Sequence, residues 1–215
     1  MTTSKDHEQK SREDSSPNEE SARDDAPAIR RLQIITISWM CVELLVALVS
    51  GIRAHSVALM AFAGDSGVEL LSAIVVLVRF RLGPGAEAKA ARINAVLLYV
   101  VAAYVVLTSV ISLASERLKP QPSLVGIGLL VAAATIMPIL GAAKKRLAKS
   151  TGSSALWADA AQTNICAYMS WIALAGLLLN ATLHLSWADS VAAILLLPPI
   201  VHEANEARRG ESCEC

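Results

Sequence analysis

The sequence predicts an all-α membrane protein with six transmembrane helices and both termini in the cytoplasm. Three observations lead to this prediction. Of the 215 residues, 54% are hydrophobic and only 4% are aromatic, and the mean hydropathy of +0.48 is too high for a water-soluble domain. Six apolar segments follow one another along the chain, and basic residues are concentrated in every second connector.

Each predicted span approaches the roughly 20 apolar residues that a helix needs to cross a bilayer. The six spans cover approximately 32–50, 56–80, 93–114, 123–143, 155–181 and 188–201, the last being the shortest. Glycine, proline and serine residues mark the connectors between them. Residues 29–207 are therefore predicted to form one transmembrane domain.

The basic residues give the orientation of the spans. Most of them lie before the first span, between the second and third, between the fourth and fifth, or after the sixth: Arg30, Arg31, Arg79, Arg81, Lys89, Arg92, Lys144, Lys145, Arg146, Lys149, Arg208 and Arg209. The opposite side has Arg53, Arg117 and Lys119. By the positive-inside rule, both termini are expected in the cytoplasm. We expect an integral, multi-pass protein of the cell (inner) membrane.

Two polar tails flank the predicted transmembrane domain. Residues 1–28 are rich in Ser, Glu and Asp and contain no Leu, Ile, Val or aromatic residue, so they are predicted to be disordered. Residues 208–215 form a short cytoplasmic tail with Cys213 and Cys215, whose thiols offer a metal two ligands but no complete site. The formal net charge is zero, which argues against nucleic acid as a partner.

Acidic residues inside the spans are the feature that lipid does not tolerate. Five of them fall inside or at the edge of a span: Glu43, Asp65, Glu69, Asp159 and Asp189. Each carboxylate near the bilayer centre costs about 2.5–3.5 kcal/mol. No Lys or Arg lies in the central part of a predicted span, so protons, water or a bound cation are expected to compensate the charge. Asp189, at the start of the sixth span, is instead expected to be the N-cap of that span.

The spacing of the polar residues predicts a metal site between the second and fifth spans. Asp65 and Glu69 are four residues apart, so they lie on one helical face. The fifth span carries a second polar stripe, which comprises Asp159, Gln162, Thr163 and Cys166. Glu43 in the first span is a candidate to support the same cavity. Gly64 and Gly67 beside Asp65 would let helices approach closely.

Three stretches of the spans follow a known pattern. Residues 56–65 are similar to the stretch S-x-A-L-x-x-x-x-x-D, and Glu69 follows four residues later. Residues 158–166 are similar to A-D-x-x-H-x-x-x-D, and residues 188–189 repeat Ala-Asp in the sixth span. In this order they resemble the cation diffusion facilitator family of divalent-metal/proton antiporters, which has six transmembrane helices.

The departures from the family pattern concern the ligands. Gln162 stands where the family usually has His, Cys166 where it usually has Asp, and Glu69 where it has a second Asp. The chain also stops soon after the sixth span, which resembles the small, truncated branch of the superfamily that lacks the cytoplasmic C-terminal domain. The resemblance implies a homodimer held by contacts between transmembrane helices.

The resemblance implies a metal-cation transporter rather than an enzyme, with no resident cofactor. Oxygen ligands with one thiolate favour Zn²⁺ as the transported ion, with Cd²⁺ or Co²⁺ as further candidates. Protons would compete for the same ligands, which implies zinc efflux by antiport. Two alternatives stay open: a non-transporting membrane partner protein, and an intramembrane aspartyl protease using Asp65 and Asp159. The usual G-x-G-D signature of such a protease is interrupted by Phe62.

Overall fold

The computed structural model describes residues 26–82, 84–114, 119–151 and 154–209. Over these residues the chain is all-helical, with six α-helices and no strand, so the predicted all-α class is confirmed. The helices are α1 (Ala26–Ala54), α2 (Val57–Leu82), α3 (Pro84–Ala114), α4 (Leu124–Thr151), α5 (Ser154–Leu183) and α6 (Ser186–Arg209). Residues 26–28 belong to α1, so the prediction that the disordered N-terminal tail extends to residue 28 was wrong for these three residues. The rest of that tail and residues 210–215, with Cys213 and Cys215, lie outside the described residues.

Four of the described helices are long and apolar enough to cross a membrane. The four segments are Pro27–Ala54 of α1, Arg92–Ala114 of α3, Leu124–Ser150 of α4 and Asp159–Leu183 of α5. Large apolar side chains project outward from them, as Leu124 (82% exposed) and Leu107 (62% exposed) illustrate. A continuous apolar exterior of this kind suits lipid and not water. The fold is therefore compatible with a multi-pass membrane protein.

The helices end where the sequence contains residues that break them. His55 between α1 and α2 has a left-handed backbone conformation with φ of 51°, and His184 between α5 and α6 has φ of 53°. Pro84 is the first residue of α3, a position where its missing N–H removes no helical hydrogen bond. Pro198 and Pro199 lie inside α6, where they remove backbone hydrogen bonds and permit a bend.

Helix α2 lies at the centre of the bundle. It packs against α1, α3, α5 and α6, while α4 packs against α5 and α1, and α6 also packs against α3 and α5. The largest group of buried apolar side chains joins these helices and includes Leu59, Phe62, Leu98, Met169 and Leu196. Any polar side chain on the inner faces of α2, α5 and α6 is therefore held away from both lipid and water.

The two glycines beside Asp65 pack α2 against helices other than α5. A Cβ atom at Gly64 would lie 2.7 Å from Cγ2 of Val101 on α3, so only glycine fits at this separation. A Cβ atom at Gly67 would lie 3.4 Å from Cδ1 of Leu44 on α1. These glycines bring α2 close to α3 and α1 rather than to α5.

Asp189 connects the start of α6 to the start of α2. Its Oδ1 accepts a hydrogen bond from Ser56 Oγ at 2.5 Å, and its Oδ2 accepts from the N–H groups of Val57 (2.8 Å) and Ala58 (3.3 Å). The first N–H groups of a helix have no partner within the helix, so a buried carboxylate is well placed to satisfy them. The prediction that Asp189 is the N-cap of its own helix was wrong, because α6 already begins at Ser186. Asp189 instead caps α2, a neighbouring helix, and fixes the two helix starts at one level.

Candidate metal centre

Three potential metal ligands meet between α2 and α5. Asp65 and Glu69 project from consecutive turns of α2, and Cys166 projects from α5. One ligand atom from each residue lies within 4.8 Å of the other two. The exposed fractions of the three residues are 1%, 9% and 0%. We call these three residues the ligand cluster, and no other group of three or more such side chains was found among the described residues.

The register of each helix explains why these side chains meet. On α2, Asp65 and Glu69 lie on the same inner face as Phe62, which is fully buried in the apolar core. On α5, Cys166 lies on the buried stripe that continues to Ala173, one of the core residues. Because α2 and α5 pack against each other, the two stripes face one another and their polar members come together.

The Cys166 thiol lies against both carboxylates. Its Sγ donates to Glu69 Oε2 at 2.8 Å and reaches Asp65 Oδ2 at 3.3 Å. In a tetrahedral zinc site with a Zn–S distance of about 2.3 Å and Zn–O distances of about 2.0–2.2 Å, neighbouring ligand atoms lie about 3.3–3.7 Å apart. The distances from Cys166 Sγ to the two carboxylate oxygens would have to increase by less than about 1 Å for a cation to replace the thiol proton.

Negative charge without a basic partner distinguishes the ligand cluster from an ordinary polar contact. Lys144 is the one buried basic side chain in the part of the chain that the structure describes, and its Nζ lies 2.9 Å from Asp159 Oδ1. Over the same residues, Asp65 and Glu69 form no ion pair, and the attraction of the Lys144 charge is the smallest of the interactions that act on Glu69. Two neighbouring buried carboxylates repel each other and lose their hydration. Bound protons or a bound cation must therefore balance them.

Glu43 of α1 lies beside the ligand cluster but is not one of its members. The residue is fully buried, its Oε1 accepts from Ser66 Oγ at 2.7 Å, and its Oε2 accepts from Trp39 Nε1 at 2.7 Å. Both oxygens are therefore already engaged. Since Ser66 is the neighbour of Asp65 in the chain, Glu43 fixes this part of α2, and its charge adds to the negative potential at the ligand cluster.

Asp159 belongs to a separate polar group, which joins α1, α4 and α5. Its Oδ1 accepts from Lys144 Nζ at 2.9 Å, and its Oδ2 accepts from Gln33 Nε2 at 2.7 Å. The structure therefore does not bring Asp159 into the ligand cluster. It also does not bring Asp159 into hydrogen-bond contact with Asp65, and an intramembrane aspartyl protease would need that contact. The expectation that no basic side chain compensates the buried acids was wrong for Asp159. Helix α4 continues past residue 143 and carries Lys144 into the bundle.

Unequal burial makes the Lys144–Asp159 pair respond differently to the loss of each partner. Asp159→Asn should lower the free energy of unfolding by about 3 kcal/mol, because it leaves the buried Lys144 ammonium without a counter-charge. Lys144→Met should cost less, because the side chain of Asp159 is 35% exposed and water can solvate it. The double variant should recover most of the loss. Unfolding of the four proteins in detergent tests this, and additive losses would contradict a direct pair.

Glu203 of α6 is a site residue that the sequence analysis did not identify. Its carboxylate interacts with Asp65, Glu69 and Gln162 on the side of the ligand cluster that faces α6. Gln162, one turn before Cys166 on α5, interacts with Glu203, whereas the thiol contacts the carboxylates of Asp65 and Glu69. The predicted sixth span ends at residue 201, so Glu203 lies outside the six predicted spans.

A signal for Glu203 is nevertheless present in the sequence. Helix α6 continues to Arg209, and its buried side includes Ile200 and Ala204, both fully buried. Glu203 follows Ile200 by three residues, so helical periodicity places it towards the same side. Extending the apolar stripe past the end of the hydrophobic window would have included it.

Comparisons with known proteins give no relative from which a function could be inferred, so a functional assignment depends on the site itself. The chain matches no protein-family model and no curated protein. The resemblance to cation diffusion facilitators therefore stays a prediction that depends on short stretches of α2, α5 and α6. Of the residues that carry it, Asp65, Glu69 and Cys166 meet in the ligand cluster, whereas Asp159 and Gln162 face other side chains.

Proposed function

We propose that this protein transports divalent transition-metal cations across a membrane, with Zn²⁺ as the best-fitting substrate. The observation that carries the proposal is the meeting of Asp65, Glu69 and Cys166, all buried, from two helices and without an ion pair to any basic side chain that the structure describes. Burying such groups is costly in any protein and more so in a bilayer. A bound cation supplies the missing positive charge. When the cation leaves, another cation or protons must bind to balance the carboxylates again.

The proposal places all six helices across the membrane, with both termini in the cytoplasm. Four of them qualify by length and composition, and α2 and α6 contain 26 and 24 residues. At 1.5 Å per residue, each is long enough to cross a hydrocarbon core of about 30 Å. Asp65, Glu69 and Asp189 are tolerated there because neighbouring helices bury them. Asp65, eight residues after Val57, then lies about 12 Å into the membrane.

The donor set supports borderline-soft ions as substrates. Two carboxylates and one thiolate match the oxygen and sulfur ligands that Zn²⁺ accepts, and they also suit Cd²⁺ and Co²⁺. Mg²⁺ and Ca²⁺ prefer sites made of oxygen only. The sulfur of Cys166 is therefore the group that we expect to discriminate against the abundant alkaline-earth cations.

Competition between metal and protons gives the transport its direction. Carboxylates and thiols bind a metal only after they lose their protons. A cation that enters from the cytoplasm would displace protons from the ligand cluster, and protons from the opposite side would later displace the cation. An inward proton gradient would thus drive efflux, and rocking of helix groups would expose the site to each side in turn.

Transport in reconstituted vesicles tests the proposal. With a Zn²⁺ indicator inside, we expect faster Zn²⁺ entry when the lumen is acidic than when both sides have the same pH, together with a parallel loss of luminal protons. Glu69→Gln should abolish entry. Glu206→Gln is the matched control, because Glu206 is 55% exposed and pairs with His202 on the outer face of α6.

The outcomes of this assay separate the parts of the proposal. Equal Zn²⁺ entry in wild-type and Glu69→Gln vesicles would contradict a role for the ligand cluster in transport. Entry that depends on Glu69 but not on the pH difference would remove the antiport step alone. Absence of entry in wild-type vesicles that bind Zn²⁺ normally would favour the non-transporting partner protein.

A further inference from the structure

The side of the ligand cluster that faces α6 contains acceptor oxygens without partners. Asp65 uses Oδ2 to contact Cys166, but its Oδ1 has no hydrogen-bond partner although the residue is only 1% exposed. Oε2 of Glu203 is likewise shielded from solvent and has no donor among the described side chains. The carboxylates of Asp65 and Glu203 lie close enough to share a proton, and without one they repel each other. Because a buried acceptor without a partner is destabilising, and more so when it is charged, this pair needs a proton or a cation.

The surroundings of Glu203 do not neutralise it. The groups that interact with its carboxylate include Asp65 and Glu69, which carry the same charge, whereas the exposed Glu206 adds the smallest repulsion. Gln162 is the polar neutral neighbour, but its Nε2 does not reach hydrogen-bond geometry. A cation is the kind of partner that could bind the carboxylate oxygens of Asp65 and Glu203 together and offset their charge.

The ligand cluster itself lacks one ligand. Zn²⁺ in proteins is almost always four-coordinate, and Asp65, Glu69 and Cys166 supply three donors. Glu203 approaches Asp65 from α6, a third helix, although it lies outside the group of ligand atoms that are within 4.8 Å of one another. We propose that Glu203 is the fourth ligand of the transported cation, so that one divalent transition-metal ion binds to α2, α5 and α6 together. This inference rests on the proposed function and specifies the site more fully.

Helix α6 is built in a way that lets Glu203 move onto a bound ion. Pro198 and Pro199 lie inside the helix, five and four residues before Glu203. Because proline removes backbone hydrogen bonds, the segment after it can bend relative to the segment before it. The segment before it is held in place by Asp189, which caps α2. Binding of the cation would therefore draw in the end of α6 that carries Glu203.

Zn²⁺ affinity measured on the purified full chain in detergent, with a competing chelator, tests the inference. Glu203→Gln should lower the affinity by at least the 10–100-fold that loss of an outer-shell partner typically costs. Glu203→Asp keeps the charge but withdraws the carboxylate by one methylene, so it should lose less. Glu206 lies three residues after Glu203, on the outer face of α6. Glu206→Gln should therefore bind Zn²⁺ like the wild type.

A second measurement distinguishes a ligand from a residue that only supports the fold. The Zn²⁺-induced infrared difference spectrum of the wild type should contain a carboxylate change that Glu203→Asp shifts and Glu203→Gln removes, and that Glu206→Gln leaves unchanged. If both Glu203 variants keep the affinity and the spectra of the wild type while Asp65→Asn abolishes binding, only the role of Glu203 is overturned. Unaltered binding in Asp65→Asn as well would overturn the proposed function.

Discussion

Asp65→Asn is expected to abolish Zn²⁺ binding and transport while leaving a folded protein. Asn keeps the shape of the side chain but loses the charge that holds a cation, so the affinity should fall by more than about 100-fold, beyond the loss that outer-shell changes cause. Without metal, the variant should be more stable than the wild type, because Asp65 and Glu69 no longer repel each other in a buried site. Loss of function together with a gain of stability is the signature of a binding site.

The test of this prediction needs a matched buried carboxylate outside the ligand cluster. Glu43→Gln provides it, since Glu43 is fully buried on the neighbouring helix and both of its oxygens already accept hydrogen bonds. Calorimetric Zn²⁺ titration and thermal unfolding of the two variants give the comparison. We expect Glu43→Gln to lose stability and keep binding, the reverse of Asp65→Asn. The opposite pattern would make Glu43 the ligand and Asp65 the structural residue.

Cys166→Ser is expected to change which metals bind. Replacing sulfur with oxygen removes the soft donor, so the affinity for Cd²⁺ should fall by about 100-fold while that for Mn²⁺ changes little. With Co²⁺ as a probe, the thiolate-to-metal absorption band of the wild type should disappear. Cys41→Ser is the control, because Cys41 lies on α1 outside the ligand cluster. A band that persists in Cys166→Ser would show that another cysteine binds the metal.

The part of the site that the sequence predicts is the part that depends on helical periodicity alone. Asp65 and Glu69 share a face because they are four residues apart, and the stripe that contains Cys166 follows from the same repeat. The prediction that protons, water or a cation compensate the acids was wrong for Asp159, which pairs with Lys144. For the ligand cluster, which forms no ion pair in the described part of the chain, it stays a prediction.

The rest of the site depends on where helices end and on which helices are neighbours. Lys144 and Glu203 both lie beyond the ends of their predicted spans, yet α4 and α6 continue as helices and carry them into the bundle. A hydropathy window ends where charge begins, so it cannot distinguish a buried charge from a solvated one. The cap that Asp189 provides to α2 joins residues far apart in the chain, and only tertiary packing decides such pairs.

The proposed transport site requires a divalent cation to bind directly to Cys166 and to the carboxylates around it. X-ray absorption at the zinc edge tests this most directly, on Zn²⁺-loaded protein in which Cys213 and Cys215 are replaced by Ser. We predict one sulfur at about 2.3 Å and oxygens at about 2.0–2.2 Å from the metal. A shell of oxygen and nitrogen without sulfur, or a shell with two sulfurs, would contradict the site that we describe.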